Sequence, residues 1–262
     1  MMPKAQMMTV LSLLIICGLI AGVLLSIEVG HRIGLRKRRH HPATLQVVHP
    51  TIEASVFGLM GILIGFTFYG AASRFDIRRN LTVREANAIG TAYLRLDLLP
   101  PETQPPLRED FREYLRSRLA VYRLIVDFKA VKAALDQSKA LQVKVWKKAV
   151  EAAKESGPAE KSLVLASLNE MIDITTDRTV ALTTHPPVAV FAMLALTVIT
   201  SSALAGYTMS PSPFRDWAST ITLALVLGIT LYVILDYEFP RIGLIRIDHV
   251  DEVLVETLKQ MK

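Results

Sequence analysis

Residues 54–73 read ASVFGLMGILIGFTFYGAAS, a stretch that contains neither a charged residue nor a proline. At about 1.5 Å of rise per residue, a helix of this length spans about 30 Å, the thickness of the hydrocarbon core of a bilayer. Glu53 precedes the stretch and Arg74 follows it, so charge bounds it on both sides. The stretch therefore predicts a transmembrane helix.

Three similar apolar runs lie outward from this one, at residues 7–27, 187–209 and 217–235, each bounded by charge or proline. The first run is not typical of a cleaved signal peptide, because it continues through bulky Leu24 and Leu25 to Glu28 without a small-residue cleavage site. The sequence thus predicts an all-α membrane protein with four transmembrane helices in two pairs.

The composition agrees with a membrane protein that touches anionic lipid. Hydrophobic residues make up 51% of the 262 residues, and the formal net charge is +6. The basic cluster at residues 36–39 follows the first run closely and has no interleaved aromatic residue. We interpret it as a segment that contacts lipid headgroups, and we expect no nucleic-acid partner. The expected location is a cell membrane, specifically the inner membrane of a bacterium.

The connection between the first two runs is rich in histidine, with His31, His40, His41 and His49. No cysteine accompanies them, and Pro42 and Pro50 break any helical spacing, so solvated loop histidines are the preferred interpretation over a metal site. The lone Cys17 lies inside the first run and excludes a disulfide framework. No metal and no cofactor is predicted.

Residues 74–185 are polar and predict a helical domain outside the bilayer. The second helix is expected to continue into it, from about residue 54 to about residue 99, because no loop breaker precedes Pro100. An apolar face at spacings of three and four predicts the next helix, with the members Leu107, Phe111, Leu115, Leu119, Tyr122 and Val126. Further helices are expected at about 141–156 and 159–184.

The predicted organisation is a first helix pair with a basic loop at 1–73, the helical domain at 74–185, a second helix pair at 186–236 and an amphipathic tail at 237–262. The helical domain has no glycine-rich phosphate loop, no nucleophile with a matched base and no acidic pair placed for acid–base work. It is interpreted as packing surface, and an enzyme is not expected.

Charge favours a cytoplasmic domain by a small margin. Eight basic residues near the spans then lie inside, namely Lys4, Arg74, Arg78, Arg79, Arg84, Arg178, Arg241 and Arg246. Six lie outside, namely Arg32, Arg36, Lys37, Arg38, Arg39 and Arg215. The excess follows the positive-inside rule, although the first loop alone favours the opposite orientation.

The junction at residues 65–79, GFTFYGAASRFDIRR, resembles the second span of bestrophins. Bacterial bestrophins have a Gly-Phe pair followed at fixed distance by Ala, by Arg with an aromatic residue, and by another Arg. The matching positions here are Gly65, Phe66, Ala71, Arg74, Phe75 and Arg79. From about residue 54 onward the chain is similar to the bestrophin-like family of bacterial and plant membrane proteins. Its other matching elements are Glu85-Ala86, Tyr93-Leu94-Arg95, Leu99-Pro100, Tyr114 and the run DYEFPRIG at 236–243.

The sequence departs from bestrophins at two places. Bestrophins carry paired tryptophans where this chain has Phe75 and Asp76. Calcium-gated animal members have a dense acidic cluster after the last span, whereas this chain has only Asp236 and Glu238 there. The resemblance therefore does not extend to a calcium site.

The resemblance implies a pentamer in which the second span of each subunit lines a central pore. The positions that match the apolar neck of that pore are Gly58, Ile62 and Phe66, one helical turn apart. Rings of Ile62 and Phe66 would form a hydrophobic constriction that gates by dewetting. The alternative is that these are packing residues, with Gly58, Gly61 and Gly65 as close helix contacts.

Six further positions receive roles through the resemblance. Arg74 and Arg78 would lie at the inner mouth, where rings of arginine favour anions; the alternative is ion pairing, such as Arg78 with Asp76 or Glu85. Asp236, Pro240 and Gly243 are expected to fix the turn after the last span. A carboxylate at a helix C-terminus opposes the helix dipole, so a cation such as Arg241, or Arg74 or Arg78 of a neighbour, is the expected partner of Asp236. Glu85 is expected to be structural or to act in gating.

Three functions compete at this point. The first is a homo-oligomeric channel that conducts small ions, with anions as one candidate class. The second is a non-conducting scaffold or signalling protein that docks partners on its extramembrane helices. The third is a proton-driven motor subunit, which ranks last because no ionisable residue lies deep in a span.

Overall fold

The computed structural model describes residues 4–40, 50–123, 128–210, 216–241, 243–245 and 247–261, and these form helices with no strand among them. The α-helices are α1 Lys4–His40, α2 Pro50–Leu94, α3 Gln104–Arg123, α4 Phe128–Ala152, α5 Pro158–Thr183, α6 Val188–Thr208, α7 Trp217–Glu238 and α8 Glu252–Gln260. Short 3₁₀ helices occupy Arg95–Leu98, Pro101–Thr103 and Asp248–Asp251. The predicted all-α class is confirmed.

Four stretches of the described chain are long and apolar enough to cross a bilayer, and they lie in α1, in α2, in the stretch that runs from α5 into α6, and in α7. The prediction of four membrane helices is therefore confirmed. The second helix also extends well beyond its apolar part, as expected, since α2 contains 45 residues.

The chain divides into two compact units. The membrane unit comprises Met1–Phe75 and His185–Arg246, and the helical unit comprises Asp76–Thr184 and Ile247–Lys262. The segment after α7 contributes to both units, with residues up to Arg246 in the membrane unit and residues from Ile247 in the helical unit. The predicted organisation into four segments stays a prediction.

In the membrane unit, α1 packs against α6 and α7. Glycine permits the contact with α6: a Cβ on Gly30 would lie 1.8 Å from the carbonyl oxygen of Ala203, and a Cβ on Gly206 would lie 1.9 Å from that of Ile27. Such close approach of two backbones is typical of membrane helices with small residues at their crossing. The crossing therefore depends on both glycines.

In the helical unit, the core lies between α2, α3, α4 and α5. The predicted apolar face of α3 is buried at Leu107, Phe111, Leu115 and Leu119. Burial of these four side chains confirms the spacing argument for the part of the face that the structure describes. The side chain of Tyr122 and the whole of Val126 lie outside the described residues.

Helix α4 is longer than predicted and earlier in the chain. It begins at Phe128 and ends at Ala152, whereas a helix at about 141–156 was expected. Residues 128–140 contain neither glycine nor proline and are rich in alanine and lysine, which favour helix. Ala134 is buried there, with Val131 and Leu135 packed against the core, so tertiary contacts stabilise the additional turns.

Candidate functional site

One face of α2 in the membrane unit is exposed along its whole apolar length. The side chains of Phe66 and Ile62 are 73% and 57% exposed. Gly58 is exposed as well, and a Cβ built on Gly58, Gly61 or Gly65 would meet no atom of the chain within 4 Å. The alternative that these glycines are close helix contacts therefore finds no support within one subunit.

The opposite face of α2 is the one that packs in the membrane unit. Met60, Thr67 and Ala71 are buried there. The hydroxyl of Thr67 donates to the carbonyl oxygen of Leu63 at 2.7 Å, so this polar side chain is satisfied within its own helix. Because this side of α2 packs against the rest of the membrane unit, Gly58, Ile62 and Phe66 lie on the side that no other helix of the subunit buries.

Arg74 binds a carboxylate at the end of α7. Its Nε and Nη2 atoms lie 2.8 Å and 2.7 Å from Oε2 of Glu238, whose side chain is 1% exposed. The other oxygen, Oε1, lies 2.8 Å from Nδ1 of His185. The His185 ring in turn lies 4.8 Å, between centroids, from the ring of Phe239. Arg74 thus forms an ion pair with Glu238 of its own subunit. The expected pairing of Arg74 with Asp236 of a neighbouring subunit stays a prediction.

Arg78 is buried in the helical unit and contacts the end of α5. Its Nε and Nη2 atoms donate to the carbonyl oxygens of Ala181 and Thr184, each at 3.0 Å. A cation at a helix C-terminus satisfies carbonyls that have no partner within the helix and stabilises the negative end of the dipole. This burial argues against the predicted place of Arg78 at a pore mouth and favours a structural role.

Glu85 is fully buried in the helical unit between two arginines. Arg118 donates from Nε to Oε1 at 2.7 Å, and Arg178 donates from Nη1 to Oε2. Arg178 also reaches Oδ1 of Asp251 at 2.8 Å through Nη2. Burial raises the pKa of Glu85, but the two guanidinium groups outweigh it, so the pKa lies below its ordinary value of 4.5. The carboxylate is therefore ionised at neutral pH, and it joins α2 to Arg118 of α3 and Arg178 of α5.

Asp236, near the end of α7, organises the turn that follows. Its Oδ2 atom accepts from the backbone N–H groups of Leu244 and Ile245 at 3.0 Å and 2.9 Å. A Cβ on Gly243 would overlap Oδ1 of the same carboxylate, so a side chain at that position would displace the carboxylate. Pro240 is buried in the turn itself. These three predicted positions are brought together by the structure.

Five ionisable participants in these contacts were not predicted as partners from the sequence: Glu238, His185, Arg118, Arg178 and Asp251. The two arginines carried a usable signal, because Arg118 follows Phe111 by seven residues and Arg178 follows Met171 by seven. An arginine at that spacing shares the apolar face of its helix and needs a buried partner. His185 and Glu238 offered no comparable pattern.

No group of histidine, cysteine, aspartate and glutamate side chains that could hold a metal ion is found among the described residues. The prediction about the loop histidines concerns mainly His41 and His49, which lie outside those residues, as does the side chain of His40. His31 is described, on α1, and borders a small cavity with Asp216, the residue that precedes α7.

These features define a multi-pass helical membrane protein whose second helix presents an uncovered apolar face and continues into a helical unit. A family model described as Bestrophin-like domain matches residues 17–250. The chain therefore belongs to the bestrophin-like family. No curated protein matches the chain in sequence.

Solved structures show the same fold. A single-site variant of a bacterial bestrophin homologue from Klebsiella pneumoniae has a TM-score of 0.68 at 15% identity, over 93% of this chain and 98% of that chain. A single-site variant described as a membrane protein has a TM-score of 0.70 at 14% identity, over 93% of this chain and 97% of that chain. At such low identity, the similarity shows the architecture alone.

Proposed function

We propose that the chain is the subunit of a homo-oligomeric ion channel, a pentamer, in which α2 of each subunit lines the pore. The observation that carries this proposal is the exposed face of α2 with Gly58, Ile62 and Phe66. The family implies a central pore lined by the second span, and this face is the one that the subunit itself does not cover.

The neck of the pore consists of rings of Ile62 and Phe66. An ion that enters an apolar ring loses hydration and gains no ligand in return, so the ring is a barrier without any charge. Gly58, one turn before Ile62, leaves the ring at its level wide. The gate is therefore hydrophobic, and its opening widens and wets the two rings.

Arg74 lies past the neck on the same helix but is bound to Glu238 in its own subunit. Because the carboxylate offsets its charge, Arg74 contributes less to anion preference than a free guanidinium would. The oligomer lies in the bacterial inner membrane, with bilayer lipid around it and its helical unit in the cytoplasm.

Ion flux from purified protein in liposomes tests the proposal. The variant Ile62→Ala/Phe66→Ala widens both rings, and we expect flux to rise on the order of tenfold, the factor given by lowering a barrier by about 1.4 kcal/mol. A matched control is Leu196→Ala/Ile199→Ala on α6, which removes similarly exposed apolar side chains elsewhere in the membrane unit. We expect no change in flux from that control.

Native mass measurement in nanodiscs accompanies the flux assay, so that loss of assembly is distinguished from closure of the pore. A stable monomer would contradict the oligomer. An assembled Ile62→Ala/Phe66→Ala variant that passes no ions, like its parent, would instead favour the non-conducting scaffold.

A further inference from the structure

A cavity of about 320 Å³ lies in the membrane unit, between α1 and the end of α7. Ser12 and Ile15 of α1 border it on one side, and Tyr232, Leu235 and Phe239 border it on the other. Ser12 and Tyr232 are buried, whereas Ile15 and Phe239 are exposed, so the cavity is a recess that opens on the surface of the subunit. Its volume lies in the range of pockets that hold small ligands, roughly 300–1,000 Å³.

The recess lies at the depth of the bilayer hydrocarbon. Ser12 and Ile15 belong to the apolar run at residues 7–27, and Tyr232 and Leu235 belong to the run at 217–235. Both runs lie in helices that are long and apolar enough to cross a bilayer. Lipid acyl chains, and not water, are therefore the medium onto which the recess opens.

The shape of the recess follows α7. Tyr232, Leu235 and Phe239 are spaced by three and four residues, so they form one stripe along the last two turns of the helix and the residue after it. Seven residues correspond to about 10 Å along the axis, less than half of the hydrocarbon thickness of about 30 Å. Acyl chains and spanning helices both run across the bilayer, so a single chain of one leaflet fits along this stripe.

The chemistry of the wall favours hydrocarbon, because its polar groups already bind the turn after α7. The hydroxyl of Tyr232 accepts from the N–H group of Leu244 at 3.2 Å. The Oδ2 atom of Asp236, at the edge of the recess, accepts from the N–H groups of Leu244 and Ile245. The exposed surface of the wall is almost entirely apolar. Since an apolar cavity of about 150 Å³ stays dry and binds benzene, a recess about twice that size takes a longer hydrocarbon.

From these observations we infer that the recess binds one acyl chain of a membrane lipid. The chain restores the dispersion contacts that the side chains of the wall lack while the recess is empty. It also packs against Tyr232 and Phe239, which adjoin the turn that Asp236 holds, and so supports that turn. This binding does not require ion conduction, and its test is independent of the flux assay.

Photolabelling of the purified protein in phosphatidylcholine vesicles tests the site. A trace of phosphatidylcholine with a diazirine in one acyl chain is activated by light, and tandem mass spectrometry assigns the adducts to residues. We expect several-fold more adducts on Leu235, which is partly buried, than on Leu14, which is 65% exposed and lies next to Ile15 on α1. Contact with bulk lipid alone would label in proportion to exposure, and that reversed order would overturn the site.

Two variants fill the recess from opposite sides. Leu235→Trp should remove the adducts on Ile15, and Ile15→Trp should remove those on Leu235, because the indole takes the place of the chain. The matched control is Leu225→Trp, at a 41% exposed position of α7 outside the wall of the recess, which should leave both adducts in place.

Circular dichroism shows which variants are folded, and either of the two that fill the recess suffices if the other fails to fold. Adducts that persist in a folded filling variant would overturn the inference. So would the absence of adducts from both residues of the wild type, the result expected if a second copy of the chain covers the recess.

Discussion

At the scale of single residues, Glu85 is a fully buried carboxylate, so its charge needs partners within the protein. It is a buried carboxylate that depends on two arginines from distant parts of the chain, Arg118 and Arg178. Removal of one partner from a buried ion pair leaves the others charged in a medium of low polarity, which costs more than the pair itself contributes. The network therefore makes three helices of the helical unit mutually dependent.

We expect Glu85→Ala to lower the free energy of unfolding of the helical unit by about 3–5 kcal/mol, because Arg118 and Arg178 then remain buried without the carboxylate. Thermal unfolding in detergent, followed by circular dichroism, measures the effect. The control is Glu109→Ala, which removes an exposed carboxylate that pairs with Arg112 and Arg116 on the surface of α3. An equal loss in both variants would show that burial of Glu85 has no special importance.

The same carboxylate predicts a dependence on pH. Since the pKa of Glu85 is lower in the folded protein than its ordinary value of 4.5, its contribution is fully present above pH 4.5. The contribution declines as the pH falls below that value and is lost below the folded pKa. The stability difference between wild type and Glu85→Gln should therefore shrink in acid. A difference that stays constant down to pH 3 would contradict the assignment.

Asp236 is the second residue whose contacts predict a measurable effect. In Asp236→Ala, the N–H group of Ile245 loses its carboxylate acceptor, and that of Leu244 keeps only the hydroxyl of Tyr232 at 3.2 Å. A hydrogen bond to a charged group contributes about 1.5–3 kcal/mol, so we expect a loss of that size. Asp236→Asn keeps one carbonyl oxygen and should retain most of the thermal midpoint. Gly243→Ala should lower the midpoint in the same direction, because its Cβ would displace the carboxylate from its position beside Leu244 and Ile245. If all three variants melt like wild type, the turn after α7 is not organised in this way.

At the scale of elements, the crossing of α1 and α6 is set by glycine. We expect Gly30→Ala to destabilise the membrane unit by about 1–3 kcal/mol, the usual cost of overpacking, because the new methyl group would force α1 away from Ala203. Gly22→Ala on the same helix is the control, since a Cβ there meets nothing within 4 Å. Thermal midpoints of the two variants in the same detergent decide the matter; equal midpoints would contradict a crossing controlled by Gly30.

The elements themselves were largely predictable, and their partners were not. The membrane helices follow from the length and hydropathy of runs such as residues 54–73, because the bilayer admits few alternatives. The apolar face of α3 follows from spacing. The start of α4 was missed because residues 128–140 form helix through packing as well as propensity. The network of Glu85 joins positions 33 and 93 residues apart, and no local pattern specifies such pairs.

At the scale of the whole molecule, the uncovered face of α2 is the feature that the single subunit leaves unexplained. Apolar side chains such as Ile62 and Phe66 can face lipid at no cost, so exposure alone does not require an oligomer. Beyond residue 75 the exposed side of the same helix is mixed, because it carries the apolar Ile77 and Leu94 as well as the polar Asn80 and Asn87. Exposure therefore leaves the oligomer to be decided by the mass measurement and the flux assay.

The orientation of the whole molecule in the membrane is predicted from charge by a small margin. The cytoplasmic side would carry eight basic residues near the spans and the other side six. Cysteine labelling of intact cells with a membrane-impermeant maleimide tests it, in a Cys17→Ser background. Gln137 on α4 is a suitable probe because its side chain is exposed. We expect Arg39→Cys, at the exposed end of α1, to react in intact cells and Gln137→Cys to react only after lysis. The reverse pattern would place the helical unit outside the cytoplasm.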